Sequence, residues 1–451
     1  MDEKIIKAFS DTFGAQPSFL ISAPGRINLI GEHTDYNGFP VLPISIPYSI
    51  TAAGKTRHDA TVRIANPNSL YTSHSFDIAL DIPRSQEGHW ANYVKAATHS
   101  LTHTYGDLKG MDILFHGAIP VSAGLSSSSA LVIASALSVL TANGLSMEPI
   151  ELAELMAEGE RYVGTQGGGM DQAICLLGRK DHAVRIDFFP LRFSYVPFPA
   201  GYSVVVAHSL VRAAKTENAL FLYNRRPAEC RLATAIINAV YQLDPPINRL
   251  GDLPGRPQFR AVLREPAHFV RDTFKRESYA LTDIAGITGE TVDEIIGRYL
   301  MTRDGRPMPV PPEGFLVRQR AHHIFSEAGR VDMSCNALND NDIDSFGKLM
   351  NESHESCDSL YGISTPELNQ LVMIMRENGA MGARLTGAGF GGCAVALVHD
   401  EHIDRLIDRI RTDYYDGYIK KRRPELSETV TDTGALFAVK PSDGASVWNL
   451  P

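Results

Sequence analysis

The hydrophobic positions along the chain follow helical and strand-like periods in turn, with no regular βαβ repeat. Met111–His116 is typical of a strand, and the pattern from Ser127 to about Ala142 is helical, with Gly144 as its stop. Further helices are predicted over the first 20 residues, over Ile150–Val163, from Phe315 onward and over Asp400–Tyr414. Further strands are predicted to lead into Ser22–Gly25 and to cover Val41–Ile50, Arg185–Asp187, Tyr202–Ala207, Cys393–Val398 and Ala435–Val439. This mixture favours an α+β fold over a doubly wound parallel sheet.

The length of 451 residues is sufficient for two domains. We place an N-terminal domain at residues 1–205 and a C-terminal domain at residues 206–451. Within the second, residues 243–313 are rich in proline, glycine and charge, which indicates an elaboration of that domain. The formal net charge is −9, so the composition does not indicate a nucleic-acid partner. An anionic ligand would then need a local positive site, such as a helix N-terminus, a metal ion or a single arginine.

The cysteines and the N-terminus bear on the compartment. The five cysteines are scattered without a CxxC pair, which favours neither a zinc ribbon nor a disulfide framework and suits a reducing compartment. The first residues lack the apolar core of a signal peptide, and no run of about 18 apolar residues occurs. We therefore expect a soluble cytoplasmic protein with no membrane partner.

Two glycine-containing segments resemble nucleotide-binding motifs without meeting their requirements. Ala53–Thr56 looks like the end of a P-loop, but Ser49 occupies the place of the required earlier glycine. Gly387–Gly392 fits G-x-G-x-x-G with Asp408 beyond it. A dinucleotide fingerprint must open a helix, however, and these glycines lead into a strand-like run. A dinucleotide site and a flexible hairpin both remain open for this segment.

The segment Pro120–Ala130 has the neighbours that a phosphate-binding loop needs. A strand precedes it, small residues and serines follow, and a helix then begins. Free backbone N–H groups and the helix dipole favour phosphate at that point, and the serine hydroxyls suit phosphate oxygens or Mg²⁺. The alternative is a serine-rich helix cap and nothing more.

Two acidic residues have a spacing that suits phosphoryl transfer. Glu160 lies near the end of a predicted helix, and Asp171 follows the glycines Gly167–Gly169, which permit a close approach by a ligand. A kinase needs one carboxylate on Mg²⁺ and another directed at the attacking hydroxyl. Two ordinary surface acids would be the alternative.

Taken together, the segments resemble one family. Gly25–Gly38 is similar to the galactokinase signature, and Gly124–Ala130 resembles the second motif of the galactokinase, homoserine, mevalonate and phosphomevalonate (GHMP) kinases. Leu385–Gly392 resembles the third motif of that family. The resemblance implies a two-domain GHMP kinase fold, with the active site in the cleft between domains, that binds ATP and Mg²⁺.

The same resemblance implies roles for individual residues. Asp171 would be the catalytic base, or would orient the hydroxyl, with Arg26 beside it to stabilise charge on the sugar oxygen. Ser128, with Ser127 as the alternative, would bind Mg²⁺ together with Glu160. The nucleotide would be bound by Trp90 and Tyr93, which flank adenine, and by the loop residues Gly124, Leu125, Ser126, Ser127, Ser128 and Ser129.

The implied substrate is a galactose-type sugar, bound by Glu32, His33, Asp35, Gly168 and Tyr223. Asp35 would accept hydrogen bonds from the neighbouring 3- and 4-hydroxyls of the sugar. The implied reaction is ATP-dependent formation of α-D-galactose 1-phosphate. N-acetylgalactosamine is the alternative substrate, because Gly167 would leave room beside C2. A catalytically inactive galactose sensor is a further alternative, although such relatives lack the Ser-Ala pair present here as Ser129-Ala130.

Overall fold

The computed structural model describes residues 3–120, 124–163, 168–211, 217–302, 306–427 and 435–451. Its strands form a six-stranded sheet in the order β12-β1-β2-β5-β3-β4, a four-stranded sheet in the order β11-β8-β10-β9, and a β6-β7 hairpin. The strands are β1 Phe19–Asn28, β2 Pro43–Thr56, β3 Thr61–Ala65, β4 His74–Asp77, β5 Met111–Gly117, β6 His182–Asp187, β7 Arg192–Pro197, β8 Tyr202–His208, β9 Gly382–Thr386, β10 Cys393–His399, β11 Leu436–Val439 and β12 Ser446–Asn449.

Helices cover both sheets and join them. The helices are α1 Glu3–Phe13, α2 Ala91–Tyr105, α3 Ser127–Ala142, α4 Pro149–Gly159, α5 Met170–Leu177, α6 Glu217–Tyr241, α7 Pro266–Thr273, α8 Leu281–Thr288, α9 Val292–Tyr299, α10 Val317–Asn339, α11 Ile343–Ser356, α12 Pro366–Glu377, α13 Ile403–Arg409, α14 Lys420–Arg422 and α15 Pro424–Ser427. Among the residues described, no helix has the length and apolar character needed to cross a bilayer.

Helix α3 occupies the centre of the N-terminal half. Its sequence is apolar on nearly every side, which is typical of a fully buried helix. It packs against β1, β2, α2 and α5, and most of its side chains beyond the first turn are buried. Its N-terminus is thereby fixed where the two halves of the molecule meet.

The four-stranded sheet joins the two halves through the alternation of its side chains. Val204 and Val206 of β8 pack into the core of the six-stranded sheet. Their neighbours Val205 and Ala207 point to the opposite face and pack into the core of the C-terminal helices. Because successive strand residues face opposite ways, a continuous apolar strand serves both cores.

The α+β prediction is confirmed, and two features were not predicted. The predicted domain boundary after residue 205 falls inside β8, and the final strand β12 returns to the N-terminal sheet by pairing with β1. Residues 243–313 contain α7, α8 and α9, whose apolar side chains extend the C-terminal core.

Candidate active site

A cavity of about 150 Å³ lies between the two halves. Its N-terminal lining includes Arg26, Glu32, Asp35 and Asp171, and its C-terminal lining comes from Tyr223, Gly387 and Ala388. Most of the residues predicted for sugar binding and catalysis are therefore side by side in space, although up to 197 positions separate them along the chain.

The serine loop forms the N-terminus of α3. Gly124 and Ser126 have positive φ angles of 68° and 60°, so the backbone turns sharply before the helix begins at Ser127. Leu125 is buried and its carbonyl accepts a hydrogen bond from the Arg26 backbone N–H at 3.2 Å. The N–H groups of a first helical turn lack partners within the helix and suit an anion, and Ser129 of this turn lines the cavity. Residues 121–123 lie outside the described part of the chain.

Asp171 is held by donors on both of its oxygens. The residue lies in the first turn of α5, after Gly169 has turned the chain with a φ of 101°. The Nε of Arg26 donates to one carboxylate oxygen at 2.7 Å, and the hydroxyl of Ser126 donates to the other. Nη1 of Arg26 also donates to the carbonyl of Gly124 at 2.6 Å. Arg26 therefore links the proposed base to the serine loop.

Glu160 lies within reach of the same helix N-terminus. The hydroxyl of Ser129 donates to Oε1 of Glu160 at 2.7 Å, and both residues are buried. The sequence pointed to Ser128 for this role, whereas the hydrogen bond in the structure comes from the next residue. Carboxylate and hydroxyl oxygens are the ligands that Mg²⁺ prefers, and Mg²⁺ commonly uses one or two protein oxygens together with substrate phosphates. This donor set therefore fits Mg²⁺, and Ser128 stays a prediction.

Asp35 and Gly168 depend on each other. One Oδ atom of Asp35 accepts a hydrogen bond from the Gly168 N–H at 3.0 Å. A methyl group at Gly168 would lie 2.6 Å from Cγ of Asp35 and 2.5 Å from the backbone nitrogen of Tyr36, so only glycine permits this approach. Burial raises the pKa of Asp35 to about 6, and the charge of Asp171 adds to the effect. Gly167, on which the N-acetylgalactosamine hypothesis depends, lies outside the described residues.

Glu32 forms a buried ion pair with a residue from the other end of the chain. Its Oε1 accepts from Nη1 of Arg384 at 3.1 Å and from the backbone N–H of Gly387 at 2.9 Å. Burial raises the pKa of the Glu32 carboxyl, and the charge of Arg384 opposes that rise. Glu32 lines the cavity and also fastens the first motif to the third.

His33 lies in the cavity wall with both ring nitrogens engaged by the protein. Nδ1 contacts the hydroxyl of Tyr36 at 2.7 Å, and Nε2 contacts the carbonyl of Ala388 at 3.2 Å. Burial lowers the pKa of His33 to about 3, so the ring is neutral at physiological pH. The Tyr223 ring lies beside it, with 5.7 Å between centroids.

Trp90 and Tyr93 lie at the start of α2. The indole of Trp90 donates to the Thr72 carbonyl at 3.0 Å and makes an edge contact with Phe115. Burial raises the pKa of Tyr93, and the negative charge of Glu160 contributes to that rise. Tyr93 is therefore within electrostatic range of the predicted metal site. Their contact with adenine stays a prediction.

The third glycine segment is a hairpin loop. Gly387–Gly392 connects the antiparallel strands β9 and β10, so no helix follows the glycines and the dinucleotide interpretation was wrong. The loop instead places Gly387 and Ala388 in the cavity wall.

Sequence reasoning missed three residues that support the site. Arg384 is a fully buried cation in an apolar strand, and that conflict was the available signal. The hydroxyls of Tyr36 and Tyr361 are hydrogen-bonded to each other at 2.8 Å, and the Tyr36 hydroxyl also contacts His33. Nothing in the sequence around Tyr361 indicated that it would meet the first motif.

This combination of fold, serine loop and paired acids is that of a GHMP kinase. The GHMP kinases N terminal domain matches residues 92–179, and the GHMP kinases C terminal domain matches residues 336–416. The galactokinase galactose-binding signature matches residues 7–56.

Relatives that align over nearly the whole chain identify a family within the GHMP kinases. The chain is 35% identical to a galactokinase of Dictyostelium discoideum, over 99% of this chain and 93% of that protein. It is 34% identical to a galactokinase of Roseiflexus sp., over 97% of this chain and 94% of that protein. The crystal structure of Lactococcus lactis galactokinase complexed with galactose aligns with a TM-score of 0.74 and 26% identity, over 98% of this chain and 99% of that one. The chain belongs to the galactokinase family.

Proposed function

We propose that the protein is a galactokinase, which transfers the γ-phosphoryl group of ATP to the C1 hydroxyl of galactose and forms α-D-galactose 1-phosphate. The observation that carries the proposal is the position of Asp171. Its carboxylate is held by Arg26 and Ser126 at the junction of the serine loop with the acids of the first motif. A group placed there can serve the sugar and the transferring phosphoryl group together.

The chemistry assigned to the chain is mainly positioning and charge stabilisation. Asp171 orients the C1 hydroxyl and accepts its proton as the oxygen attacks phosphorus. Arg26 balances the carboxylate and stabilises negative charge on the sugar oxygen. The serine loop from Gly124 to Ser129 donates N–H and hydroxyl groups to the phosphates. Trp90 and Tyr93 flank the adenine.

Mg²⁺ would be held by Glu160 and by a hydroxyl of Ser128 or Ser129. The ion, when bound, neutralises charge on the β- and γ-phosphates. Glu160 is suited to this because it is buried, lies one hydrogen bond from Ser129 and adds a full negative charge beside the phosphate loop.

The sugar would lie against the first motif. Asp35 accepts hydrogen bonds from two neighbouring hydroxyls, which a carboxylate can do and an amide does less well. Gly168 fixes that carboxylate, and Glu32 and Tyr223 line the remaining wall. We place the enzyme in the cytoplasm.

A sugar panel tests the proposal. ADP release in the presence of Mg·ATP is measured with galactose, N-acetylgalactosamine, glucose and galacturonate, and the product is examined by ³¹P NMR for a phosphate on C1. We expect galactose to give the highest kcat/KM and an anomeric phosphate. Binding of galactose and nucleotide without ADP release would indicate a sensor, and preference for N-acetylgalactosamine would overturn the substrate assignment.

A further inference from the structure

The first and third motifs are joined by two adjacent side chains. Oε1 of Glu32 accepts from the Gly387 N–H at 2.9 Å, and Nε2 of His33 lies 3.2 Å from the Ala388 carbonyl. Glu32 and His33 are consecutive, and so are Gly387 and Ala388. The start of the glycine loop is therefore held through one backbone N–H group and one backbone carbonyl group. The position of this loop therefore depends on the two sugar-motif residues.

A buried hydrogen-bond chain sets the direction of the His33 contact. The Ala388 carbonyl can only accept, so Nε2 of His33 carries the hydrogen. The neutral ring then accepts at Nδ1 from the hydroxyl of Tyr36, which accepts in turn from Tyr361 at 2.8 Å. The thiol of Cys230 lies 3.4 Å from the Tyr361 hydroxyl and completes the chain as a donor. The Ala388 carbonyl thus fixes the tautomer of His33, and the remaining hydrogen bonds of the chain lead from that ring into the C-terminal half.

The loop held by His33 lies beside the serine loop, which is assigned to the nucleotide. A methyl group at Gly387 would lie 3.2 Å from the carbonyl oxygen of Gly124, the first described residue of the serine loop. That same carbonyl accepts from Nη1 of Arg26 at 2.6 Å. The two backbones are therefore neighbours with no room for a side chain between them, and movement of Gly387 and Ala388 away from their present position would break the contacts to Glu32 and His33.

We propose that His33 is a positioning residue that couples sugar binding to nucleotide binding through Gly387 and Ala388. This inference rests on the proposed function, because it assigns the sugar to the first motif and the nucleotide to the serine loop. A sugar bound against the His33 ring holds the existing contact to Ala388 in place, and that contact keeps the glycine loop beside Gly124, which favours binding of Mg·ADP or Mg·ATP. The coupling is reciprocal, so bound nucleotide strengthens sugar binding by the same factor.

Two substitutions at His33 separate this role from a backbone role. Gln places an amide N–H near the position of Nε2, whereas Asn reaches only as far as Nδ1. His33 has a φ of 62°, a conformation that Asn adopts more readily than Gln. If the contact to Ala388 is what matters, His33→Gln will be the milder change. If the backbone conformation matters, His33→Asn will be the milder one.

The test measures equilibrium binding rather than turnover. Calorimetry gives the Kd of Mg·ADP without sugar, the Kd of galactose without nucleotide, and the Kd of galactose with saturating Mg·ADP. For the wild type we expect galactose to bind at least about fivefold more tightly when Mg·ADP is present. For His33→Asn we expect Mg·ADP alone to bind about 3–10-fold more weakly, as for one lost hydrogen bond, and the coupling factor to approach one. His33→Gln should stay within about twofold of the wild type.

A second variant covers the case in which substitutions at His33 prevent folding. Tyr361→Phe removes the hydroxyl that donates to Tyr36 but keeps the ring, and it should reduce the coupling factor in the same direction. Thermal melting reports whether each variant is folded.

Each outcome decides the matter. An unchanged Mg·ADP affinity and coupling factor in folded His33→Asn would overturn the inference, as would a milder effect of Asn than of Gln. A wild type that turns over galactose but shows no coupling would overturn the inference alone. A wild type that binds no Mg·ADP would overturn the proposed function as well.

Discussion

Replacement of Asp171 by asparagine removes a charge while leaving the shape of the side chain. The amide oxygen can still accept from Nε of Arg26, which lies 2.7 Å from the carboxylate. The hydroxyl of Ser126, which donates to the other oxygen, can rotate to accept from the new NH₂ group. The local hydrogen bonds therefore survive in Asp171→Asn, and the lost negative charge is the main perturbation.

We expect Asp171→Asn to affect catalysis more strongly than folding stability. The Arg26 side chain is 7% exposed and that of Asp171 is 27% exposed, so the pair is partly hydrated. We expect Asp171→Asn to cost about 1–2 kcal/mol of folding stability, less than the 3–5 kcal/mol typical of a fully buried pair. For a chain of this length that cost lowers Tm by roughly 1–2 °C. Loss of a positioned acid–base group should lower kcat by about 10²–10⁴-fold, or about 3–5 kcal/mol.

A matched control is available on the hairpin β6-β7. Asp187 also pairs with an arginine, at 3.1 Å from Arg185, and its side chain is 32% exposed. Arg185 keeps a second partner in Asp332, so Asp187→Asn should fold and leave turnover unchanged. Turnover is measured by ADP release at saturating galactose and Mg·ATP, and nucleotide binding by calorimetry. The reasoning would be refuted if Asp171→Asn kept more than about a tenth of the wild-type kcat, or if its Mg·ADP affinity fell as far as its turnover.

Three further predictions concern the neighbours of Asp171. Because burial raises the pKa of Asp35 to about 6, kcat/KM for galactose should fall about tenfold between pH 7 and pH 5, as the carboxylate becomes protonated; this inflection should vanish in Asp35→Asn, and its persistence would assign it to another group. Ser129→Ala should raise the Mg²⁺ concentration needed for half-maximal turnover more than Ser128→Ala does, because Ser129 contacts Glu160; the reverse order would return the metal to Ser128. Gly168→Ala should raise KM for galactose far more than KM for ATP, since the new methyl group would displace Asp35, and equal increases would contradict that role.

The sequence predicted the elements whose apolar pattern is local. The helix α3 and the strands β5 and β10 begin and end within one residue of their predicted bounds. Strand β2 contains Pro43 and Pro47, and it continues to Thr56, six residues beyond the predicted end at Ile50. Its register against β1 shifts between Ser45 and Ser49, so Pro47 lies at a bulge where no N–H is needed for the ladder.

The elements that escaped prediction depend on distant partners. Strand β12 has only four residues, and its pairing with β1 joins Trp448 to Leu20 across nearly the whole chain. The P-loop-like residues Ala53–Thr56 belong to β2, and Gly54 is glycine because the ring of Phe19 covers it, with Cζ 2.2 Å from where a methyl group would lie. Neither the pairing of β12 with β1 nor the contact between Gly54 and Phe19 can be predicted from the local sequence pattern.

The sequence likewise indicated some features of the candidate site and not others. Motif resemblance pointed to Asp171, Arg26 and Asp35 because their residue types match the chemistry, and the structure brings them to one cavity. It could not indicate which atoms of each side chain remain available to a ligand. Both ring nitrogens of His33 are engaged by the protein, and one oxygen of Glu32 is taken by Arg384. Such occupancy follows from packing, which the motif does not contain.

The first motif also requires the C-terminal half in order to hold its shape. Glu327 of α10 accepts from the backbone N–H of Gly31 at 2.9 Å and pairs with Arg330 at 2.7 Å. Burial opposes ionisation of Glu327, but the charge of Arg330 and its neighbours holds its pKa at about 2, so the residue stays an acceptor. Gly31 itself has a φ of 100° and no room for a side chain beside Val41. Because a buried, charged acceptor 296 positions away fixes this turn, the sugar motif acquires its binding geometry only when both halves of the chain are folded together.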